Sequence, residues 1–241
     1  TGWQNPCGKL AETIPLRYED TPAAAYFPGK GQNAEYREGL YVGYRYYETV
    51  DKAVRYPFGY GLSYTTFAYS DLQVNADHVT FTLTNTGKRD GAEVAQLYVA
   101  KPDAKVFRPV KELKGFAKVL LKAGESKTVI IPLDDKAFRY WNVATDRWEV
   151  EDGSYRILVG ASVQDIRLTA DITLPGTGAP DPYSGKALPD YYTGNVQNIP
   201  DVEFETLLGR SVPKEKTAID RTMTLGELHH SRSPLCWLIA G

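Results

Sequence analysis

The chain has 241 residues, of which 42% are hydrophobic and 24% charged, and its formal net charge is -2. This length can bury a substantial core in one large domain or two small ones, and the composition is typical of a globular protein. The balanced charge shows no basic face for nucleic acid, and no apolar run reaches the roughly 18–20 residues that span a bilayer.

Residues 1–35 show neither helical periodicity nor strand alternation. Their few apolar side chains cannot close a core, so we expect them to pack against protein outside this chain. Residues 36–69 then carry nine of the 17 tyrosines. Because tyrosine joins a large apolar ring to a hydroxyl, this concentration suits an inter-domain seam or a sugar-contacting wall, and we favour the seam.

From Phe67 onward the pattern becomes a series of short strands separated by turn residues. Strands are predicted over Phe67–Val74, His78–Asn85, Glu93–Ala100, Leu113–Leu121, Thr128–Leu133, Phe138–Val143, Arg147–Val150, Ser154–Val159 and Ile166–Ile172. Apolar and polar residues alternate in the clearest of them, as they do in half-buried strands. So many short strands in about 110 residues predict two packed antiparallel sheets.

The sandwich is followed by a segment of different character. The run Pro175–Pro182 is rich in Pro and Gly and predicts a linker. Beyond it we predict a short helix that Asp201 caps and Gly209 ends, and a second one near Thr224. The apolar side of the first helix consists of Phe204, Leu207 and Leu208. This tail is too thin for a core of its own, so we expect it to lie across another surface.

Acidic residues cluster twice within the sandwich. Glu149, Glu151 and Asp152 follow one another at a strand end. Glu149 and Glu151 share one face of an exposed hairpin, which predicts solvated like charges and not a catalytic pair. Asp134 and Asp135 have the pattern of a turn or cap.

Tryptophan and histidine are two further residue types that could form ligand sites. Trp141 and Trp148, on opposite arms of the hairpin, suit either a sugar-stacking platform or cross-strand packing in the core, and we favour packing. His78 opens a strand, while His229 and His230 are adjacent in the tail. No histidine has cysteine or carboxylate partners at ligand spacing, and no glycine-rich phosphate loop occurs. We therefore expect neither a metal nor another cofactor.

The two cysteines, Cys7 and Cys236, lie near opposite ends of the chain. Two thiols cannot form the disulfide framework of a small secreted domain, so we expect both to be free, which favours the cytoplasm. The first residues have no signal-peptide pattern, and Thr1 precedes what looks like the middle of a domain. We expect the natural amino terminus to lie upstream, which leaves the compartment open.

Three segments have distinctive sequences: Asn5–Pro15, Tyr36–Tyr47 and Tyr56–Phe67. Together they resemble glycoside hydrolase family 3, in its β-glucosidase type. The first is similar to a segment near the end of the family's second, α/β sandwich domain, with Cys7 where Ser is usual. The second resembles the segment that leads out of that domain. The third carries the strongest signal, because twelve consecutive residues resemble the entry into the family's last domain.

The resemblance implies a mainly β chain in three parts. Residues 1–66 would be the end of the α/β sandwich domain with an aromatic-rich connector. Residues 67–174 would be a fibronectin type III-like domain, an immunoglobulin-like antiparallel sandwich, in agreement with the strand pattern. Residues 175–241 would be a linker and a partly helical tail, in which Phe204–Gly209 is similar to an extension of some bacterial members.

The resemblance also implies where catalysis occurs. A retaining glycosidase needs two carboxyl groups about 5–5.5 Å apart. In this family they belong to an amino-terminal barrel and to an earlier part of the second domain, both outside this chain. We therefore expect this chain to be inactive alone. Glu35, Tyr36 and Glu38 are candidates for substrate contact, or alternatively for a surface or domain-locking role.

The expected function is that of a structural part of a parent enzyme that hydrolyses terminal β-D-glucosyl or related residues. Its expected partners are the missing barrel and α/β sandwich domains, the parent's glycoside substrate and a possible second copy of the chain. A stand-alone module for carbohydrate binding or dimerisation, without catalysis, is the alternative. In a carbohydrate-binding module, the hairpin tryptophans Trp141 and Trp148 would contact the sugar.

Overall fold

The structure, a computed structural model, describes residues 3–29, 33–213, 221, 224–228, 231 and 233–240. Its strands are β1 (Ile14–Pro15), β2 (Val54–Tyr56), β3 (Phe67–Val74), β4 (His78–Asn85), β5 (Gly91–Ala100), β6 (Glu112–Leu121), β7 (Ser126–Pro132), β8 (Arg139–Asn142), β9 (Arg147–Val150), β10 (Gly153–Gly160) and β11 (Ile166–Leu174). Its α-helices are α1 (Tyr44–Thr49), α2 (Pro189–Thr193), α3 (Asp201–Leu208), α4 (Leu225–Leu228) and α5 (Pro234–Ala240). Single 3₁₀ turns lie at Tyr18–Asp20 and Val196–Asn198.

Two antiparallel sheets form the predicted sandwich. One sheet has the strand order β11-β10-β5-β6 and the other has the order β3-β4-β7. Strands β3, β4 and β9 have the bounds that the alternation predicted. The hairpin of β8 and β9 pairs with neither sheet. The sandwich itself therefore has seven strands, and the hairpin is an insertion between β7 and β10.

The core of the sandwich lies between the inner faces of the two sheets. In β4, Val79, Phe81 and Leu83 are buried, while the threonines between them are half-buried. They meet Leu97 of β5 and Ile157 of β10 within one cluster. Each such side chain stabilises the fold by about 1.5–3 kcal/mol on burial, so the period-2 pattern determines which face of each strand turns inward.

The aromatic-rich connector covers part of the outer face of the four-stranded sheet. Tyr44 packs against Phe58 at 4.8 Å and against Tyr98 of β5 at 6.0 Å between ring centroids. The buried amide of Gln96 donates to the carbonyl oxygens of Gly59 at 3.1 Å and of Ala161 at 2.9 Å. This face is therefore closed by residues that precede the sandwich, and its buried polar groups are paired.

A second core joins the connector to the carboxy-terminal segment. Its buried members are Tyr41, Tyr46, Tyr47, Phe107, Leu188, Tyr191, Val196 and Ile199. Phe107, from the loop between β5 and β6, stacks on Tyr191 at 5.4 Å and on Tyr183 at 4.6 Å. The tail thus lies across another surface, as expected, because its own short helices cannot bury these rings among themselves.

Helix α3 differs from the prediction at its first residue. Pro200, not Asp201, is the N-cap residue, and no side chain caps the helix. Asp201 is the first helical residue, and its carboxylate accepts a hydrogen bond from Arg37 instead. The carboxyl end agrees with the prediction, since Gly209 has a φ of 74° and ends the helix in the left-handed conformation that glycine adopts without strain.

Candidate functional site

The best-defined polar arrangement in the connector surrounds Arg37. Its guanidinium donates to Glu35 Oε2 at 2.6 Å, to the Ile199 carbonyl at 2.8 Å and to Asp201 Oδ1 at 2.6 Å. The rings of Tyr26 and Phe204 each lie 4.8 Å from its central carbon. We call these six residues the arginine clasp. It joins a loop of the connector to the tail, more than 160 positions away.

The electrostatics of the clasp keep Arg37 charged. Burial alone lowers the pKa of the Arg37 guanidinium, but the hydrogen bonds to Asp201 and Glu35 outweigh burial and raise this pKa above its usual value. A charged group that is largely removed from water needs such partners, because an unpaired charge there would cost several kcal/mol. Arg37 therefore stays charged. The ion pairs of the clasp persist at any pH at which the protein is folded and the carboxylates of Glu35 and Asp201 are ionised.

The tail also holds the backbone of this loop. Tyr191 OH donates to the Arg37 carbonyl at 2.9 Å. Tyr191 is itself positioned by Glu203, whose Oε1 accepts the backbone N–H groups of Asp190 at 3.0 Å and of Tyr191 at 3.2 Å. These N–H groups begin helix α2, so they have no partner within the helix, and the Glu203 carboxylate supplies one.

The three candidate contact residues have different surroundings. Glu35 is committed to Arg37. Glu38 is buried, with 6% exposed surface, and its Oε2 has no hydrogen-bond partner. Tyr36, between them, is 75% exposed. Of the three side chains, only that of Tyr36 is largely exposed.

Large apolar side chains are unusually exposed in the first part of the chain. Those among residues 3–64 are Trp3, Leu16, Tyr18, Phe27, Tyr36, Leu40, Val42, Tyr56, Leu62 and Tyr64. We call this set the connector surface. Single exposed apolar residues are ordinary, but so many on a segment of this length indicate an interface with other protein.

The acidic cluster after β9 has a structural role. Glu151 is buried, and its carboxylate accepts hydrogen bonds from the Lys105 backbone and pairs with Arg108. The prediction that Glu149 and Glu151 are both solvated was therefore wrong for Glu151, because the hairpin folds its base against the loop after β5. Glu149 is half-buried, and hydrogen bonds from Thr177 and Thr145 lower the pKa of its carboxyl group. A general acid needs a raised pKa.

The two hairpin tryptophans pack against each other. Trp141 and Trp148 are directly opposite in the register, with ring centroids 5.4 Å apart and planes at 76°. Cross-strand packing is confirmed, but the pair does not lie in the core, since the side chains are 43% and 53% exposed. The Arg139 guanidinium lies 4.9 Å from the Trp148 ring. The perpendicular rings do not form one flat platform.

Other ligand chemistry finds little support in the described residues. Within them no group of three or more His, Cys, Asp or Glu side chains could hold a metal ion. His78 opens β4 and contacts Asp77 at 2.7 Å, whereas His229 and His230 lie outside the described residues. Cys7 and Cys236 are both free. A cleft beside Tyr140 and Glu151 has a volume of about 60 Å³, which suits a few waters.

The described helices are all too short or too polar to cross a membrane. The longest helix of the tail, α3, has eight residues.

Comparison with known proteins gives a consistent family relationship. A family model described as fibronectin type III-like domain matches residues 93–163. An exo-alpha-(1->6)-L-arabinopyranosidase of Bifidobacterium longum is 50% identical over 186 residues, which are 75% of this chain and 25% of that protein. The thermostable beta-glucosidase B of Acetivibrio thermocellus is 46% identical over 184 residues, 73% of this chain and 24% of that protein. This chain thus spans about a quarter of these curated relatives.

Solved structures agree. The GH3 beta-glucosidase of Bifidobacterium adolescentis matches with a TM-score of 0.71 and 40% identity, over 100% of this chain and 31% of that one. The Kluyveromyces marxianus beta-glucosidase in complex with glucose matches with a TM-score of 0.67 and 44% identity, over 71% of this chain and 21% of that one. The first match includes the tail, so the resemblance is not limited to the sandwich.

The sequence indicates the segment that holds the clasp but not the clasp itself. Glu35, Tyr36 and Glu38 are candidates from the sequence, whereas Arg37 is not. The partners of Arg37 lie in a tail whose position the sequence did not reveal. The only available signal was the alternation of charge and aromatic ring in Glu35-Tyr36-Arg37.

Proposed function

We propose that this chain, which is the carboxy-terminal portion of a glycoside hydrolase family 3 protein, is the accessory region of an enzyme that removes terminal β-D-glucosyl or related residues with retention. In this role it braces the catalytic domains and supplies neither the nucleophile nor the acid/base. The relatives that it matches are glycosidases a little over three times its length.

The connector surface is the observation that carries the proposal. The sandwich and the second core are closed, yet nine large apolar side chains of residues 3–64, not counting Tyr36, remain open to water. A surface of this kind is stabilised when another domain covers it, and the domains that precede this region in the relatives are the natural occupants. We propose that residues 1–66 end the α/β sandwich domain and form the connector, that 67–174 form the fibronectin type III-like domain, and that 175–241 form the linker and tail.

The surroundings of three carboxylates that the sequence offered as candidates support the absence of a catalytic role for them. Glu151 is occupied by Arg108, and hydrogen bonds keep the pKa of Glu149 low. Glu35 is occupied by Arg37. A retaining glycosidase needs one carboxylic acid and one carboxylate facing each other across the scissile bond, with room for a sugar between them. A side chain already paired with arginine is poorly suited to either task.

Tyr36 is the substrate contact that we propose for this chain. It is the exposed member of the loop Glu35–Glu38, and an aromatic ring can pack on the apolar face of a pyranose while its hydroxyl bonds to a sugar hydroxyl. Glu35 and Glu38 would act in the same site only indirectly, by holding the loop.

The test uses the full-length protein that contains this chain. Purified enzyme is assayed with aryl β-D-glucosides and, because one relative is an arabinopyranosidase, with aryl α-L-arabinopyranosides. We expect hydrolysis of at least one of them, with retention at the anomeric carbon followed by NMR. Failure to hydrolyse either class, or inversion, would reject the proposed reaction.

A carbohydrate-binding module is the second candidate, and the half-exposed Trp141 and Trp148 favour it. Indole rings are the usual walls of sugar sites, although Arg139 already lies over Trp148 here. Calorimetry of the full-length protein with cello-oligosaccharides, in parallel with W141A and W148A, distinguishes the two functions. A binding event lost in both variants would support the module, and an unchanged titration would leave the accessory role.

A further inference from the structure

The arginine clasp raises the question of what the tail contributes, since the sandwich core is complete without it. On the basis of the function given above, we propose that Arg37 is a positioning residue. Through the clasp, residues 189–204 of the tail hold the loop Glu35–Glu38 in the shape that presents Tyr36 to the sugar bound in the parent enzyme. The tail would thereby determine substrate affinity without touching the substrate.

The clasp uses the features that distinguish arginine from lysine. Hydrogen-bond acceptors surround the edge of the guanidinium: the Glu35 carboxylate, the Ile199 carbonyl and the Asp201 carboxylate, all within 2.8 Å. The centres of the Tyr26 and Phe204 rings each lie 4.8 Å from the central carbon of the guanidinium. A planar, delocalised cation can satisfy this set, whereas an ammonium group cannot bond in several directions within one plane.

The loop is fixed at Arg37 and Glu38, whereas Tyr36 is open. The side chain of Arg37 and its carbonyl oxygen are both bound by the tail, the latter by Tyr191 OH at 2.9 Å. At the next residue, the Glu38 carbonyl accepts the backbone N–H of Tyr41 at 2.9 Å. The Tyr36 side chain projects, with 75% of its surface exposed.

Such an arrangement lowers the entropy that binding must remove. Fixing the backbone of one residue costs about 1–2 kcal/mol, so a free four-residue loop would be costly to order when a sugar binds. If folding has already ordered the loop, the ligand needs to restrict only the Tyr36 side chain. Loss of the clasp should therefore raise KM, while the chemical step, which depends on other domains, should change little.

The experiment is a double-mutant cycle in the full-length enzyme: wild type, R37A, Y36A and R37A/Y36A. We expect R37A to raise KM for the preferred aryl glycoside about tenfold and to change kcat less than about twofold. In the Y36A background, R37A should change KM less than about twofold, because Arg37 would then have no contact left to position. An equal effect of R37A in both backgrounds would overturn the proposal and assign Arg37 a purely structural role.

Two further variants keep this test decisive. D201A removes one clasp partner whose side chain is 72% exposed, so it should fold if R37A does not, and it should raise KM by about threefold. R139A is the matched control, because Arg139 likewise pairs with an exposed aspartate, Asp135, and lies over an aromatic ring. We expect R139A to leave KM unchanged. A KM change with R139A as large as that with D201A would overturn the proposal.

Hydrogen exchange separates this proposal from the proposed reaction. The amides of Gly39 and Tyr41, which donate to the carbonyls of Tyr36 and Glu38, should exchange at least about tenfold faster in R37A or D201A than in wild type or R139A, whether or not the enzyme cleaves the chosen glycoside. If no glycoside is hydrolysed but exchange accelerates, the proposed reaction is rejected, while the proposal that the clasp orders the loop is supported. If the enzyme is active and Y36A leaves KM unchanged, the positioning role is overturned while the proposed reaction survives.

Discussion

Gln96 and Gly59 form a contact that a larger residue at position 59 would prevent. Gln96 Nε2 donates to the Gly59 carbonyl at 3.1 Å, and a Cβ added to Gly59 would lie 2.0 Å from Gln96 Oε1. Gln96 cannot easily move, because it also donates to Ala161 and accepts from Tyr98 OH. The segment Tyr56–Phe67 therefore lies against the sandwich through its glycine, which gives a physical reason for the residue in that motif.

Replacing Gly59 with alanine should destabilise the protein by more than the backbone strain alone would. Gly59 has a φ of 78°, and Gly124, in the turn between β6 and β7, has a φ of 75° with open space around it. Strain at positive φ costs about 1–2 kcal/mol in both variants. G59A adds the displaced, buried amide of Gln96, for a total loss of about 3–4 kcal/mol. Urea denaturation measures both, and equal losses for G59A and G124A would contradict the account.

Removing the Glu151 carboxylate should destabilise the base of the hairpin without affecting chemistry. E151A leaves Arg108, whose side chain is 12% exposed, without its partner, and we expect a loss of about 3–5 kcal/mol in the free energy of unfolding. E149A, on the same hairpin, removes only hydrogen bonds from two threonine hydroxyls and should destabilise the protein much less. Thermal denaturation gives the comparison. A stable E151A enzyme with abolished kcat would instead indicate a catalytic carboxylate.

Alkaline pH should unfold the second core. Burial raises the pKa of Tyr47 and of Tyr191 to about 12, from a usual value of 10.0. Because the folded pKa is the higher one, the stabilisation is fully present below pH 10 and is lost as the pH rises from there to about 12. Ultraviolet titration of tyrosinate should show a late transition to which Tyr47 and Tyr191 contribute. Y191F should remove part of this late transition, and a single transition near pH 10 would be inconsistent with this core.

The tryptophan pair should show measurable coupling. Perpendicular aromatic rings at this distance contribute about 0.5–1.5 kcal/mol beyond their buried area. A double-mutant cycle of W141A and W148A, followed by urea denaturation, should therefore give a coupling energy in this range. Additive losses would mean that each indole is held by the hairpin separately, and the exposed pair would then need another explanation.

The sequence predicted the sandwich well because its signal is local. In β4 every second residue is apolar, and the observed bounds agree with the prediction. The burial of Glu151 was missed, since it depends on Arg108, 43 positions away. The placement of Asp201 was missed for the same reason: a short helix with an acidic first residue has the pattern of a cap, and only the tertiary contact with Arg37 shows otherwise.

The candidate site shows the same difference between local signals, which the sequence carries, and long-range contacts, which it does not. The family resemblance and the neighbouring tyrosines indicated the loop Glu35–Glu38, but they could not show which side chain is open. Tyr36 is exposed while Glu38 is buried because the tail covers one side of the loop. Long-range packing of this kind leaves no periodic trace in either segment, so it becomes visible only in three dimensions.

The central claim, that this region is scaffold and not catalyst, is tested most directly by trapping the glycosyl-enzyme intermediate. A retaining enzyme forms a covalent bond between a carboxylate and the sugar, and a slowly released fluorinated glycoside allows that bond to be located by peptide mass spectrometry. In the full-length enzyme we predict the label on a peptide outside these 241 residues. A label on any aspartate or glutamate within them would contradict the account.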